Sequence, residues 1–295
     1  MKKLILLFVL LCSSILWAKG TNEESVQSVP ETLESYPQRI ISLSPSTTET
    51  LFAIGAGDQV IGVTSYCDYP AEAATREIIG GFSANTISIE TIISLNPDLV
   101  IAGVSAHQPI AETLKSAGIP VLSIEPKSVE EIKAVIEELA IITGHKEQGK
   151  LLSEDITNRI NYVTDRLSTL GEKNKVKVFY EVWDAPLMTA GPNSFTGQLI
   201  SYGGGNNIFS DVEGEYPQVS SEELISRNPQ AILSSDTHGD MLTIEAMGSR
   251  EGWKNIDAFK KNNVILLDGN IVSRPGPRVI DAIEMIASAL YPDLF

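Results

Sequence analysis

Short apolar runs alternate along this chain with segments of helical period. Residues 40–43, 60–63, 99–102 and 121–124 are each almost wholly apolar, and helix-length stretches separate them. This rhythm predicts parallel strands joined by crossover helices. Ser128-Val129-Glu130-Glu131 has the form of a helix capping box, and Ile132, Val135, Ile136, Leu139 and Ile142 follow at helical spacing until Gly144. From about Lys146 a second helical stripe runs through Leu152, Ile156, Ile160, Val163, Leu167 and Leu170, with charges on its other side. Roughly 25 residues of helix span about 37 Å, more than an ordinary crossover. Beyond Gly171 the strand pattern restarts at residues 176–182, 207–209, 231–233 and 264–267, and a closing helix is built on Val279, Ile283, Ile286 and Leu290.

The predicted fold is therefore α/β, with two Rossmann-like lobes built on central parallel sheets and joined by one long rigid helix. The expected boundaries are 38–145 for the first lobe, 146–171 for the connecting helix and 172–295 for the second lobe. A flexible tether is polar and rich in Gly or Ser. This connector carries a continuous apolar stripe that must pack against something, so the lobes should be stiffly coupled.

An internal repeat supports the two-lobe reading. Glu90-Thr91-Ile92-Ile93-Ser94-Leu95-Asn96-Pro97-Asp98-Leu99-Val100-Ile101 is echoed by Glu222-Glu223-Leu224-Ile225-Ser226-Arg227-Asn228-Pro229-Gln230-Ala231-Ile232-Leu233, at a constant offset (222 − 90 = 229 − 97 = 132). Each copy reads as a capped helix, an Asn-Pro stop and a buried strand, because proline cannot continue a helix. Ser88 and Ser220 stand where N-caps belong, with Glu90 and Glu222 in the first turn. A first-turn glutamate complements the helix dipole by about 0.3 to 1 kcal/mol, and on spacing alone that accounts for both.

The N-terminus changes the picture of where the protein works. Lys2 and Lys3 precede an apolar run over residues 4–17, and Ala18-Lys19-Gly20 supplies small residues for cleavage, the pattern of a secretory signal over residues 1–20. The run is shorter than the roughly 20 residues that cross a bilayer. The expected location is periplasmic or otherwise extracytoplasmic, with lipid anchoring at Cys12 as a second route, although Leu11 is a poor match for lipoprotein processing. Residues 21–37 are rich in Glu, Ser and Thr and read as a flexible lead-in. After cleavage at Gly20, Cys67 is the one remaining cysteine, which excludes an intrachain disulfide. The formal charge of −16 disfavours nucleic acid as a partner.

Specific motifs carry a resemblance. Arg39-Ile40-Ile41-Ser42-Leu43-Ser44-Pro45-Ser46-Thr47-Thr48-Glu49, Ser65-Tyr66-Cys67-Asp68-Tyr69-Pro70, Gly203-Gly204-Gly205-Asn206-Asn207-Ile208-Phe209, Pro217-Gln218-Val219-Ser220 and Arg274-Pro275-Gly276-Pro277-Arg278 resemble the ABC-importer receptors for cobalamin and iron complexes, cobalamin receptors above all. The resemblance runs from residue 39 onward. It implies two lobes on a rigid helix, with Glu90 and Glu222 meeting arginines on a membrane permease dimer. It also implies a cleft in which Tyr66 matches a ligand-lining aromatic and Phe82 is similar to a tryptophan, although the loop after Phe82 is longer here.

The residues suggest further ligand contacts. Trp183 and Asp184 follow a strand, where open α/β sheets present ligand groups, and flat macrocycles suit such aromatic faces. Arg274 and Arg278 flank a turn at the start of the last helix, placed either to meet ligand oxygens or simply to face solvent. His107 and His238 each follow a strand and are candidates to face the cleft, as ligands to cobalt or haem iron or as ordinary loop histidines. His145, at the Gly144 break, reads as a helix-terminal residue. Three histidines make a poor set for binding a bare metal ion, and no resident cofactor is expected. Catalysis has thin support: the chain lacks a P-loop and a His-Glu-x-x-His motif, its triple glycine follows a helix, and nothing in the sequence places Glu49 beside Asp68 as acid and base. The expectation is a monomeric extracytoplasmic receptor that captures cobalamin and delivers it to a permease. An iron-siderophore or haem is the alternative cargo.

Overall fold

The computed structural model describes residues 35–235 and 243–295. The signal segment, Cys12 and His238 lie outside the described residues. The first lobe contains β1 (Ile40–Ser42), α1 (Pro45–Ala53), β2 (Val60–Val63), β3 (Glu77–Ile78), α2 (Ile89–Ser94), β4 (Leu99–Gly103), α3 (Gln108–Ser116), β5 (Val121–Ile124) and α4 (Val129–Thr143). Its strands pair in parallel in the order β3-β2-β1-β4-β5. Ile41, Leu43, Ile92, Val100 and Leu114 form the centre of its core. The runs over β1 and β4 are unbroken because both faces of an all-parallel sheet are covered.

After α5 (Lys146–Leu167) the second lobe contains β6 (Lys177–Asp184), β7 (Leu187–Thr189), α6 (Phe195–Tyr202), β8 (Asn206–Asn207), α7 (Ser221–Arg227), β9 (Ala231–Ser235), α8 (Ile244–Ser249), α9 (Asp257–Lys260), β10 (Val264–Leu267), α10 (Gly269–Val272) and α11 (Val279–Leu290). Its sheet runs β10-β9-β6-β7, with β8 also on β6. By position in the sheet β6, β8, β9 and β10 repeat β1, β2, β4 and β5. Phe179, Phe209, Ile232 and Trp253 fill its core, and the Phe179 ring meets the Phe209 and Trp253 rings edge-on.

The central strands of this sheet are parallel, as expected, and one unexpected strand joins them: the chain turns at Ala185-Pro186 and β7 returns antiparallel on β6, pairing Trp183 with Met188. The strand expected at residues 207–209 ends at Asn207, because Phe209 is drawn into the core instead.

The connector is a helix, as its stripe requires. Gly144 closes α4 in the left-handed region (φ 83°), α5 follows, and a single 3-10 turn carries the chain on to Leu170. Its buried side is Gly149, Ser153, Ile156, Ile160, Val163 and Leu167, whose aliphatic members contribute about 1.5 to 3 kcal/mol each. Gly149 lets α5 approach α4 so closely that an added Cβ would sit 2.3 Å from the Ala140 methyl. Further along, the Arg159 guanidinium donates to Glu284 at 3.0 and 2.6 Å and to Asp281 at 2.6 Å, which ties the same helix to α11.

Candidate functional site

The C-terminal ends of strands in both sheets meet at one place. On the first-lobe side lie Ser44 to Thr47 at the start of α1, Gly103, Ala106 and His107 at and just after the end of β4, and Ile124 to Pro126 at and just after the end of β5. With Phe82, and with Ser273 to Pro275 from the second lobe, they enclose a cavity of about 240 Å³. A neighbouring cavity of about 280 Å³ is lined by Tyr180, Val182, Phe195, Thr196, Tyr216 and Ser235 from the second lobe. Ser273 lines both, so the two form the floor of one cleft. This is where an open α/β sheet presents its ligand groups.

Tyr66 (58% exposed), Phe82 (41%) and Trp183 (43%) are large rings that the fold leaves in solvent. The indole N–H of Trp183 donates to Ala185 O at 3.0 Å, which fixes the ring at the β6–β7 hairpin. Asp184 stands half-buried in the same hairpin, opposite Leu187.

His107 belongs to the wall of the first cavity but exposes none of its own surface. It is fully buried; Nδ1 accepts the Gly103 N–H at 2.9 Å and Nε2 donates to Phe82 O at 2.8 Å. Its ring lies edge-on to the Phe82 ring at 5.2 Å. Of the two alternatives for this residue, a metal ligand or an ordinary histidine, the geometry favours the second, since both nitrogens are occupied within the protein. The residue positions the Phe82 loop against the end of β4 instead.

Arg274 lines the cavity, but its guanidinium is bound within the protein. Nη1 donates to Glu49 Oε1 at 2.9 Å and to Asp68 Oδ1 at 2.7 Å, while Nη2 reaches Asn270 Oδ1 at 2.6 Å and Tyr66 O at 3.3 Å. Arg278 grips the same Glu49 from Nε at 2.8 Å and Nη2 at 2.7 Å, and its guanidinium lies 4.2 Å from the centre of the Tyr69 ring. The Glu49 side chain is 1% exposed. Burial works against ionisation of Asp68, yet the hydrogen bond and charge of Arg274 outweigh it and hold the carboxyl below the ordinary aspartate range. The fold thus brings Glu49 and Asp68 together through Arg274, as ion-pair partners. Sequence reasoning missed this cluster, whose members lie up to 229 positions apart. Its one signal is that two arginines flank the Pro-Gly-Pro turn.

The repeat is reproduced in three dimensions. Ser88 Oγ accepts the Thr91 N–H and Ser220 Oγ the Glu223 N–H, each at 3.1 Å, so both helices are capped as their sequences require. Asn96 and Asn228 take the left-handed conformation (φ 45° and 48°) that ends each helix before its proline. Glu90 and Glu222 are exposed in the two first turns and form no ion pair among the described residues, whereas neighbouring Glu223 is held by Arg227.

Two α/β lobes on a helical connector, with a cleft at the strand ends, define an extracytoplasmic-type solute-binding architecture. Residues 40–271 match the periplasmic binding protein family, and the chain belongs to it. An ABC transporter substrate-binding lipoprotein of Bacillus subtilis is 32% identical over 269 residues, which cover 90% of this chain and 83% of that one. The vitamin B12-binding protein of Vibrio cholerae is 31% identical over 259 residues, covering 86% and 89%. A crystal structure of the periplasmic vitamin B12-binding protein of Vibrio cholerae superposes with a TM-score of 0.70 at 30% identity, covering 87% of this chain and 97% of that one. The apo periplasmic haem-binding protein of Roseiflexus superposes with a TM-score of 0.77 at 26% identity, covering 88% and 99%. Among the described residues, no helix is long and apolar enough to cross a membrane, and no three His, Cys, Asp or Glu side chains converge to hold a metal ion.

Proposed function

We propose that this protein is the extracytoplasmic receptor of an ABC importer, a monomer that captures a corrinoid such as cobalamin between its lobes and delivers it to a membrane permease. The reading rests on one observation above all. Phe82 lines a floor rich in hydroxyl groups, and two more exposed rings adjoin it in the chain or through a contact: Tyr66, whose carbonyl is held by the lining residue Arg274, and Trp183, next to the lining residue Val182. Flat apolar faces with a few placed polar groups suit a large macrocycle bearing amides. The names of the relatives point the same way.

Glu90 and Glu222 are the assigned permease contacts. They are exposed carboxylates on equivalent helices, free of ion pairs among the described residues, as two similar receptor subunits would demand. Tyr66, Phe82, Trp183 and Asp184 are the assigned ligand contacts, with Arg274 beneath them. No catalytic step is assigned, since Glu49 and Asp68 are consumed by arginines.

Haem is the second reading, favoured by the structural likeness to the Roseiflexus protein. Haem iron needs an axial ligand from the protein; of the two candidate histidines, His107 has both nitrogens occupied and His238 lies outside the described residues. A corrinoid carrying its own lower base needs none. Mixing the purified protein with cyanocobalamin, haemin or a ferric siderophore and recording visible absorbance after desalting tests the assignment. Retained cobalamin colour is the expected result; retention of haemin or siderophore alone would overturn it.

A further inference from the structure

Around the cleft the charges are matched in an unusual way. Arg274 lines the cavity, and Arg278 stands behind it with its side chain 14% exposed. Two carboxylates answer them: Glu49, buried and bound to both, and Asp68, 56% exposed and bound to Arg274. Two positive and two negative groups leave this cluster with no net charge. The remaining charges near the floor add no free cation among the described residues. Glu125 accepts from Ser105 N at 2.6 Å and Ser105 Oγ at 3.1 Å, and Lys127 faces Glu215 at 3.7 Å. Asp184 adds a further negative group at the hairpin.

From this arrangement we infer that Glu49 and Asp68 set the charge class of the ligand: by neutralising Arg274 and Arg278 they make the cleft reject anionic cargo and admit a neutral, amide-bearing one. Neither needs to touch the ligand. With the carboxylates present, an anionic group over the cavity meets a neutralised guanidinium and the surplus charge of Glu125, which lines the same cavity. Without Asp68 the same guanidinium acts at short range in a partly desolvated cleft, where a unit charge changes affinity by about tenfold. Specificity by repulsion of the wrong partner is then built into the first lobe, while the cation it controls belongs to the second. The inference rests on the corrinoid reading for its choice of probe.

The test compares ligands that differ by one charge. The protein is titrated with cyanocobalamin, which has no net charge, and with its monocarboxylic acids, in which one carboxamide is hydrolysed. The wild-type protein is expected to prefer the amide by about tenfold. Asp68→Asn is expected to remove most of that preference and Glu49→Gln to reverse it, with the gain for the acid fading as salt is raised. A purely structural cluster would change both affinities together and leave their ratio and its salt dependence alone. Glu49→Gln leaves two guanidiniums short of a buried partner and is prone to misfold, so the half-exposed Asp68→Asn is the variant that decides. An unchanged ratio in folded Asp68→Asn overturns the inference. If the wild-type protein binds neither corrinoid, the corrinoid reading fails instead, and the same ratio is read with haemin and its neutral dimethyl ester. Binding of neither pair overturns both.

Discussion

Asp98 and Gln230, 132 positions apart, make the same pair of hydrogen bonds in the two lobes. Asp98 Oδ2 accepts the Arg39 N–H at 3.0 Å while its own N–H donates to Arg39 O at 2.9 Å. Gln230 Oε1 accepts the Lys177 N–H at 3.0 Å while its N–H donates to Lys177 O at 2.8 Å. Each side chain therefore ties the start of its lobe's central strand to the loop that follows the Asn-Pro stop. Asp98→Ala and Gln230→Ala should each destabilise by about 1 kcal/mol and add when combined, being in separate lobes. Urea denaturation checks this; a silent member would break the equivalence.

The two exposed glutamates lead to a prediction about transport. Glu90→Lys with Glu222→Lys should abolish ligand uptake in cells while the dissociation constant of the purified protein stays within about twofold, because rim charges act on the encounter with a partner. Either single reversal should give a partial loss. Normal uptake by the double variant would remove the docking assignment.

His107→Ala should cost about 3 kcal/mol, through the lost ring and through the Phe82 carbonyl and Gly103 N–H left without partners. The visible spectrum of any bound corrinoid should not move. A shifted spectrum at undiminished stability would mean that the ring is a metal ligand after all.

The Asp68 carboxyl lies below its ordinary value in the folded protein. A depressed value contributes stability above the unfolded value of about 3.9 and loses it as pH falls through the folded one. The stability difference between the wild-type protein and Asp68→Asn should therefore hold steady from about pH 7 to 5 and shrink only below about 4. Half-exposed, the pair is worth under about 1 kcal/mol. A difference that vanished between pH 7 and 5 would contradict the pairing.

Much of this was legible in the sequence because it depends on local chemistry. The Ser caps, the left-handed Asn before each Pro and the buried strand that follows all sit within a dozen residues, so periodicity and backbone sterics suffice to read them. The connector declared itself by a stripe that only packing could satisfy. What escaped depends on long-range geometry. β3 is two exposed residues held by register with β2, and β7 exists because the chain reverses at Ala185-Pro186. His107 carries no sign that its neighbours will bury it. The Glu49–Arg274 pairing joins residues 225 positions apart, and charge alone does not say which arginine finds which carboxylate.

In the proposed complex the rings of both lobes hold one corrinoid between them. Calorimetric titration of cyanocobalamin into the wild-type protein and into Tyr66→Ala/Trp183→Ala tests it most directly. One ligand per chain is expected for the wild-type protein and an affinity reduced by about a hundredfold or more in the variant, since aromatic anchors dominate such sites. Equal affinity in both proteins would contradict it.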